Sequence, residues 1–319
     1  MEQLAKLDRW ASKGFFWLTC LSLLLGLVFS RGGDRVIPLT KYILAYLMFT
    51  GALSCRVADF RRVLQRPERM LASLVLIFAV MPGLTYLITR LFLKNYPLLA
   101  TGVILISALP VGVTAGVFAD LGRGSVSLAI TLVAVTTLAS GFATPFILNL
   151  LIGSQVPFDG FQMSLDLIKL LALPVVAGVA LNERQLPAVE ELRPLLGIFN
   201  KAGIVVTLWA NAAVMAPQLT QYREGVLYSL FIVVLQLVLS YGSSILLARR
   251  LAMPLGDEMA LGMSNAVRNV VAGVVIGMNY FPPAVTMPII ISIMLQPPVA
   301  VLVYQKYSLP SRAGTEANL

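Results

Sequence analysis

Apolar residues along this chain come in repeated runs of about twenty, separated by short polar joints. Wound as helix, a run of that length covers the roughly 30 Å of a bilayer's hydrocarbon core, whereas a barrel strand shows about ten alternating residues. The pattern predicts ten membrane-length helices, at about 14 to 30, 36 to 54, 70 to 93, 97 to 120, 126 to 152, 163 to 181, 198 to 217, 225 to 248, 257 to 281 and 286 to 305. Ahead of them Met1 to Lys13 is polar and amphipathic, with Trp10 and Trp17 close by, as expected of a segment lying on a membrane surface. No small-residue cleavage site follows it, so it does not read as a signal peptide.

Two of the runs are interrupted in corresponding places. The fourth carries Pro110, Gly112 and Gly116, and the ninth carries a polar stretch from Gly262 through Ser264, Asn265 and Arg268 to Asn269. Ten spans divide into five and five, and an odd number in each half forces the halves into opposite orientations, the plan of an inverted-repeat transporter. In such a fold the two broken helices cross near the midplane, and their unpaired N–H and C=O groups are tolerated only where they line a cavity or bind something.

Composition agrees with this reading. With 58 % hydrophobic and 12 % charged residues, the chain holds more apolar surface than one soluble core can bury, so lipid is its solvent. The net charge of +9 does not call for nucleic acid, because the basic residues stand in the joints beside the helices. With the N-terminus inside, sixteen lysines and arginines fall on inside segments and six on outside ones, which places both termini in the cytoplasm of an expected bacterial inner membrane. Cys20 and Cys55 are too few for a disulfide framework and read as packed thiols. Histidine is absent, and there is no HExxH, GxSxG or P-loop, so no catalytic residue, metal centre or cofactor is expected and the chain is not an enzyme.

Several stretches together resemble the bile acid:sodium symporter superfamily. Asp59-Phe-Arg-Arg-Val-Leu-Gln-Arg-Pro67 is similar to that family's loop after span two, and Phe78-Ala-Val-Met-Pro82 to its third-span motif. Gly102-Val-Ile-Leu-Ile with Pro110, Gly112 and Arg123-Gly124 resembles the first crossover; Lys169 with Leu173-Pro174, and Gly262-Met263 with Asn265, resemble the sixth span and the second crossover. The resemblance implies a panel of spans one, two, six and seven (14–54 and 163–217) and a core of spans three to five and eight to ten (70–152 and 225–305). It also implies organic-anion substrates, moved by alternating access and commonly coupled to two sodium ions.

The residues depart from the sodium-coupled pattern. Serine and asparagine of the first crossover fall at Ala115 and Gly116, and the hydroxyls of the next span at Ala129 and Val133. The third-span glutamine falls at Ile77, and the glutamate of the second crossover at Ala260. Sodium needs several hard oxygen ligands, which these side chains do not supply. Sodium coupling is therefore doubtful, with Ser264 and Asn265 the only weak candidate ion ligands.

The substrate-binding candidates are Arg268, Asn265, Ser264, Asn269, Thr114 and Gln296, with the crossovers built from Pro110, Gly112, Gly116 and Gly262. Arg268, read as about a turn past its crossover, either holds the substrate's carboxylate or sulfonate, stands in for the missing sodium charge, or ties backbone carbonyls together. Asp120 reads as a solvated residue near the cytoplasmic end, too far from Arg268 to pair with it. Asp166 and Lys169, three apart, read as a pair with a structural or gating role. Glu258 reads as an entrance residue at a helix N-terminus. The expected partners are a small organic anion and the bilayer, with no nucleic acid; a monomer is plausible, and the sequence does not fix the oligomeric state. A non-transporting receptor or scaffold is the competing class.

Overall fold

A computed structural model describes residues 14–53, 67–153, 156–219 and 221–316. The segment Met1 to Lys13, Cys55 and the loop motif from Asp59 to Arg66 lie outside the described residues. Among the described residues the chain is helical apart from short joints and one isolated backbone bridge. In chain order the helices are α1 (Phe15–Val28), α2 (Gly33–Ala52), α3 (Pro67–Phe92), α4 (Pro97–Ala108), α5 (Thr114–Leu121) and α6 (Val126–Ile152). They continue with α7 (Gly160–Glu183), α8 (Pro187–Met215), α9 (Arg223–Arg250), α10 (Leu255–Ala266), α11 (Val270–Tyr280) and α12 (Thr286–Glu316). Among the described residues six helical stretches are long and apolar enough to cross a membrane: Pro67–Phe92, Val126–Ile152, Gly160–Glu183, Glu191–Met215, Arg223–Arg250 and Pro283–Lys306.

Local chemistry explains the boundaries. Pro97 and Pro187 open α4 and α8 at the position where a missing N–H costs nothing. Ser125, Asp159 and Asn269 cap α6, α7 and α11 by accepting the backbone N–H three residues on. Pro82 and Pro174 each follow a widened π turn, Leu76–Val80 in α3 and Ile168–Ala172 in α7. In such a turn the carbonyl of Ile77 would accept from residue 82, and proline has no N–H to give. That oxygen is left free inside the bundle, and the site below uses it.

Two groups of helices pack closely. In the first, α8 lies against α1 and α2, and α7 against α2. Glycines let the backbones meet there: a Cβ on Gly26 would fall 2.5 Å from the Trp209 carbonyl oxygen, and one on Gly178 would fall 2.4 Å from that of Phe49. In the second group α4 is buried on every side, and a Cβ on Gly102 would fall 2.1 Å from the Val285 oxygen. Around it stand α3, α6, α9, α11 and α12, and α10 joins the group through α9 and α6.

The breaks differ in detail from the sequence reading. The first falls between Ala108 and Thr114, so Pro110 and Gly112 lie in it while Gly116 lies inside α5. The second falls between Ala266 and Val270, so Gly262 lies inside α10, against the ring of Tyr241. Arg268 is in the second break itself and not a turn beyond it. Glycine tolerates a break without imposing one, and helical hydrogen bonding carried α5 and α10 through Gly116 and Gly262. Asp166 does not pair with Lys169; it accepts from the amide of Gln162 at 3.1 Å and from the hydroxyl of Tyr280.

Candidate functional site: the crossover and its cavity

The two breaks meet backbone to backbone. Asn269 N–H donates to Pro110 O at 2.9 Å and Gly112 N–H to Val267 O at 2.9 Å, which makes Val111 and Arg268 a single antiparallel bridge. Gly112 is required by this approach, since a Cβ there would lie 2.8 Å from the Arg268 carbonyl oxygen. The remaining donors are met by side chains. Val111 N–H reaches Thr136 Oγ1 at 3.0 Å, and Arg268 N–H reaches Gln296 Oε1 at 3.1 Å. Gln296 is itself held by its amide donating to Ser292 Oγ at 2.7 Å. An irregular backbone at this depth is stable because its polar groups are satisfied in this way.

The Arg268 side chain turns away from the bridge into the second helical group, and only 4 % of the residue is exposed. Its guanidinium donates to Leu109 O at 3.1 Å, to Ile77 O at 3.4 Å and to Asn265 Oδ1 at 3.0 Å. The Ile77 acceptor is the oxygen orphaned by Pro82. Among the described residues no carboxylate forms an ion pair with Arg268, so a full positive charge sits among neutral oxygens. Asn265 completes the arrangement on its other side, donating to Ser240 O at 3.0 Å and to Ser244 Oγ at 3.1 Å of α9. Ile77, Ala115, Ala129 and Ala260 lie in one apolar cluster, each 0 % exposed, with Val133 packed against it.

On the other side of the bridge lies a cavity of about 430 Å³ between the two helical groups. Arg268, Asn269, Thr114 and Gln296 line it, as do Thr19 of α1 and Asn200 of α8, and its apolar wall includes Phe15, Met48, Phe118 and Leu208. The start of α5 at Thr114 lines it too, and its next two N–H groups are held by the break itself, Ala115 donating to Gly112 O at 2.9 Å and Gly116 to Val113 O at 3.3 Å. A second pocket of about 380 Å³ shares Met48, Gly51 and Val113 with the cavity and extends it to Asp120 and Val126. Asp120 is exposed at this mouth. The same end of the molecule carries Arg69, which contacts Asp257 at 3.5 Å, and Arg249, which contacts Glu258 at 3.9 Å. Glu258 stands in the first turn of α10, as the sequence places it.

Four of the six sequence-predicted substrate residues therefore line one cavity. Ser264 and Asn265 do not; both are 0 % exposed and packed inside the second helical group. Sequence reasoning missed Thr19 and Asn200. Asn200 was visible as an amide in an apolar run, but nothing in the run says which face meets the crossover.

Two interrupted helices, bridged at one backbone pair beside a cavity between two helical groups, point to a class: a multi-pass membrane carrier of small molecules. Comparison with known proteins makes the class specific. The family model described as "Sodium Bile acid symporter family" matches residues 41–222. The chain is 27 % identical over 292 residues to the uncharacterized protein YbaS of Bacillus subtilis (strain 168), covering 89 % of this chain and 94 % of that one. It is 20 % identical to the uncharacterized sodium-dependent transporter YocS of the same organism, covering 90 % and 88 %. It is also 24 % identical to the probable sodium/metabolite cotransporter BASS1, chloroplastic, of Oryza sativa subsp. japonica, covering 85 % of this chain and 62 % of that longer protein. The chain belongs to the sodium bile acid symporter family. It is an integral membrane secondary transporter and not an enzyme.

Proposed function

We propose that this protein carries a small organic anion, a carboxylate or sulfonate, by alternating access without sodium. In this reading ten spans form a five-plus-five inverted repeat, with α4–α5 and α10–α11 as the crossing pair. The panel (14–54 and 163–217) and the core (70–152 and 225–305) move against each other around the cavity, with both termini in the cytoplasm. Anion selectivity comes from the half-helix N-terminus at Thr114 and from the buried charge of Arg268 behind the bridge.

The observation that carries the reading is the content of the core beside the crossover. The positions where the family resemblance puts sodium ligands, Ile77, Ala115, Ala129 and Ala260, are apolar and packed together. A guanidinium sits next to them on the Ile77 and Leu109 carbonyls. A resident cation thus takes over the electrostatic part of an ion's role, while a mobile sodium finds too few oxygens.

One observation favours a reduced sodium site instead: among the described residues Ser264 Oγ is buried without a hydrogen-bond partner. Against it, the amide oxygen of neighbouring Asn265 is already taken by Arg268 at 3.0 Å, and two cations that close repel. Uptake of a panel of carboxylates and sulfonates into proteoliposomes, with sodium replaced by potassium, decides between them. Equal uptake supports the sodium-free carrier; strict sodium dependence rejects it.

A further inference from the structure

Hydroxyls buried in the helices of this chain generally bond back to their own backbone. Thr101 donates to Pro97 O at 2.9 Å, Ser229 to Gly225 O at 2.8 Å and Thr137 to Val133 O at 2.6 Å. Thr207 of α8 breaks this habit. It is 0 % exposed, and among the described residues its hydroxyl has no partner although a helix carbonyl stands one turn back. One turn on, Asn211 is also 0 % exposed, and neither its amide nitrogen nor its amide oxygen has a partner among the described residues. Residues four apart share a helix face, so three unsatisfied polar atoms lie on one edge of one helix. A protein interior keeps such groups only where something else uses them.

Their place in the fold says what. α8 is the helix of the first group that packs on both α11 and α12 of the second. Asn200, Ile204 and Leu208 of α8 line the cavity. Thr207 and Asn211 continue from there away from the mouth at Asp120, because α8 runs antiparallel to α2. Asn200 lies beside Thr50, and Ala210 beside Gly33. Toward that end Tyr280 of α11 donates its hydroxyl to Asp166 of α7, tying the two helical groups together.

We propose that Thr207 and Asn211 form a second substrate station, on the far side of the crossover from the open cavity, which takes the anion when the carrier opens the other way. The inference rests on the alternating-access reading. A hydroxyl and a carboxamide N–H are neutral donors, the kind that hold a carboxylate or sulfonate oxygen while letting it leave. In the present state the station is closed, since both residues are 0 % exposed. Opening would part α8 from α11 and expose the pair.

The test uses the full-length protein with Cys20→Ser and Cys55→Ser as background, in cells and in proteoliposomes. Thr207→Cys and Asn211→Cys are treated with a membrane-impermeant cationic methanethiosulfonate from the face opposite Asp120. Ala213→Cys, which packs against Gly33 between α2 and α8, is the control. Both station cysteines should label about tenfold faster than the control or more, and Asn211→Leu should fold at least as stably as the parent yet lose about tenfold in anion counterflow, the worth of one hydrogen bond to a charged group. Unlabelled station cysteines in a parent that transports overturn the station while transport stands. Labelling with undiminished counterflow in Asn211→Leu also overturns it, since the pair then meets only water. A parent that moves no carboxylate or sulfonate of the panel overturns the transport reading, and the station with it.

Discussion

Neutralising Arg268 separates its two candidate roles, a long-range charge and a local tie, because the structure assigns a different cost to each. Arg268→Gln is too short to reach the three oxygens the guanidinium holds, Leu109 O, Ile77 O and Asn265 Oδ1. Leaving them unpaired costs about 1–3 kcal/mol each. Removing a buried guanidinium returns its own desolvation penalty, which is also several kcal/mol. The two nearly offset, so the variant should assemble, with stability changed by about 2 kcal/mol or less. Anion binding has no such offset. A ligand in the cavity is separated from the charge by one bridged backbone layer, about 5 Å, and one contact distance, about 3 Å. At about 8 Å and an effective dielectric of about 20, a unit charge contributes about 2 kcal/mol. That corresponds to about thirtyfold in affinity. Purified protein is first screened against the anion panel by thermal shift, and affinities of the best hit are then measured by calorimetry for the parent, Arg268→Gln and Arg268→Lys. The lysine variant keeps the charge and loses the fork, so it should lose stability but hold affinity within about threefold. High salt should leave the ratio standing, because a buried charge is poorly screened. A folded Arg268→Gln that binds anions like the parent would refute the electrostatic role and reduce Arg268 to a structural tie.

Three further outcomes follow from the same geometry. Gly112→Ala should push the bridge apart, since its Cβ meets the Arg268 oxygen at 2.8 Å, and lower stability by about 1–3 kcal/mol in a detergent melt. Thr136→Val leaves the Val111 N–H unpaired and should cost about 1–3 kcal/mol, whereas Thr137→Val removes only a hydroxyl bonded to its own helix at Val133 and should cost well below that; equal melting points would deny the Thr136 contact. Tyr280→Phe deletes a charge-assisted bond to Asp166 of about 1.5–3 kcal/mol, so it should favour the opposite opening and speed labelling of Thr207→Cys about tenfold. Unchanged labelling there would mean that the contact does not hold the carrier closed.

Individual residues show how far the sequence could be read. Arg268 was conspicuous because a permanent charge inside an apolar run needs a reason, and it does sit at the crossover. Thr114, Asn269 and Gln296 were found by the same logic and line the cavity. Asn265 stood out equally well and turned out to face α9, where it orients the guanidinium instead of touching the cavity. Polarity marks that a residue needs a partner; it does not say on which side of the helix the partner stands. Thr19 and Asn200 were passed over for the converse reason, since nothing in either helix says which face meets the crossover, and each becomes part of a site only when α1 and α8 dock beside the bridge.

What the sequence determined by itself was the solvent and the class. Apolar runs of membrane length, basic residues gathered mainly in the joints, no histidine and two interrupted helices point away from a soluble enzyme and toward a carrier, because hydrophobic length and backbone satisfaction are local requirements. What only the tertiary structure decided was which polar groups face the cavity and which hold the core. The Ile77 carbonyl became available because Pro82 had nothing to donate, Gly112 let two backbones touch, and Arg268, 191 residues along the chain from Ile77, swung inward to take that oxygen. Such a choice depends on distances between segments remote in the chain, which no local pattern encodes.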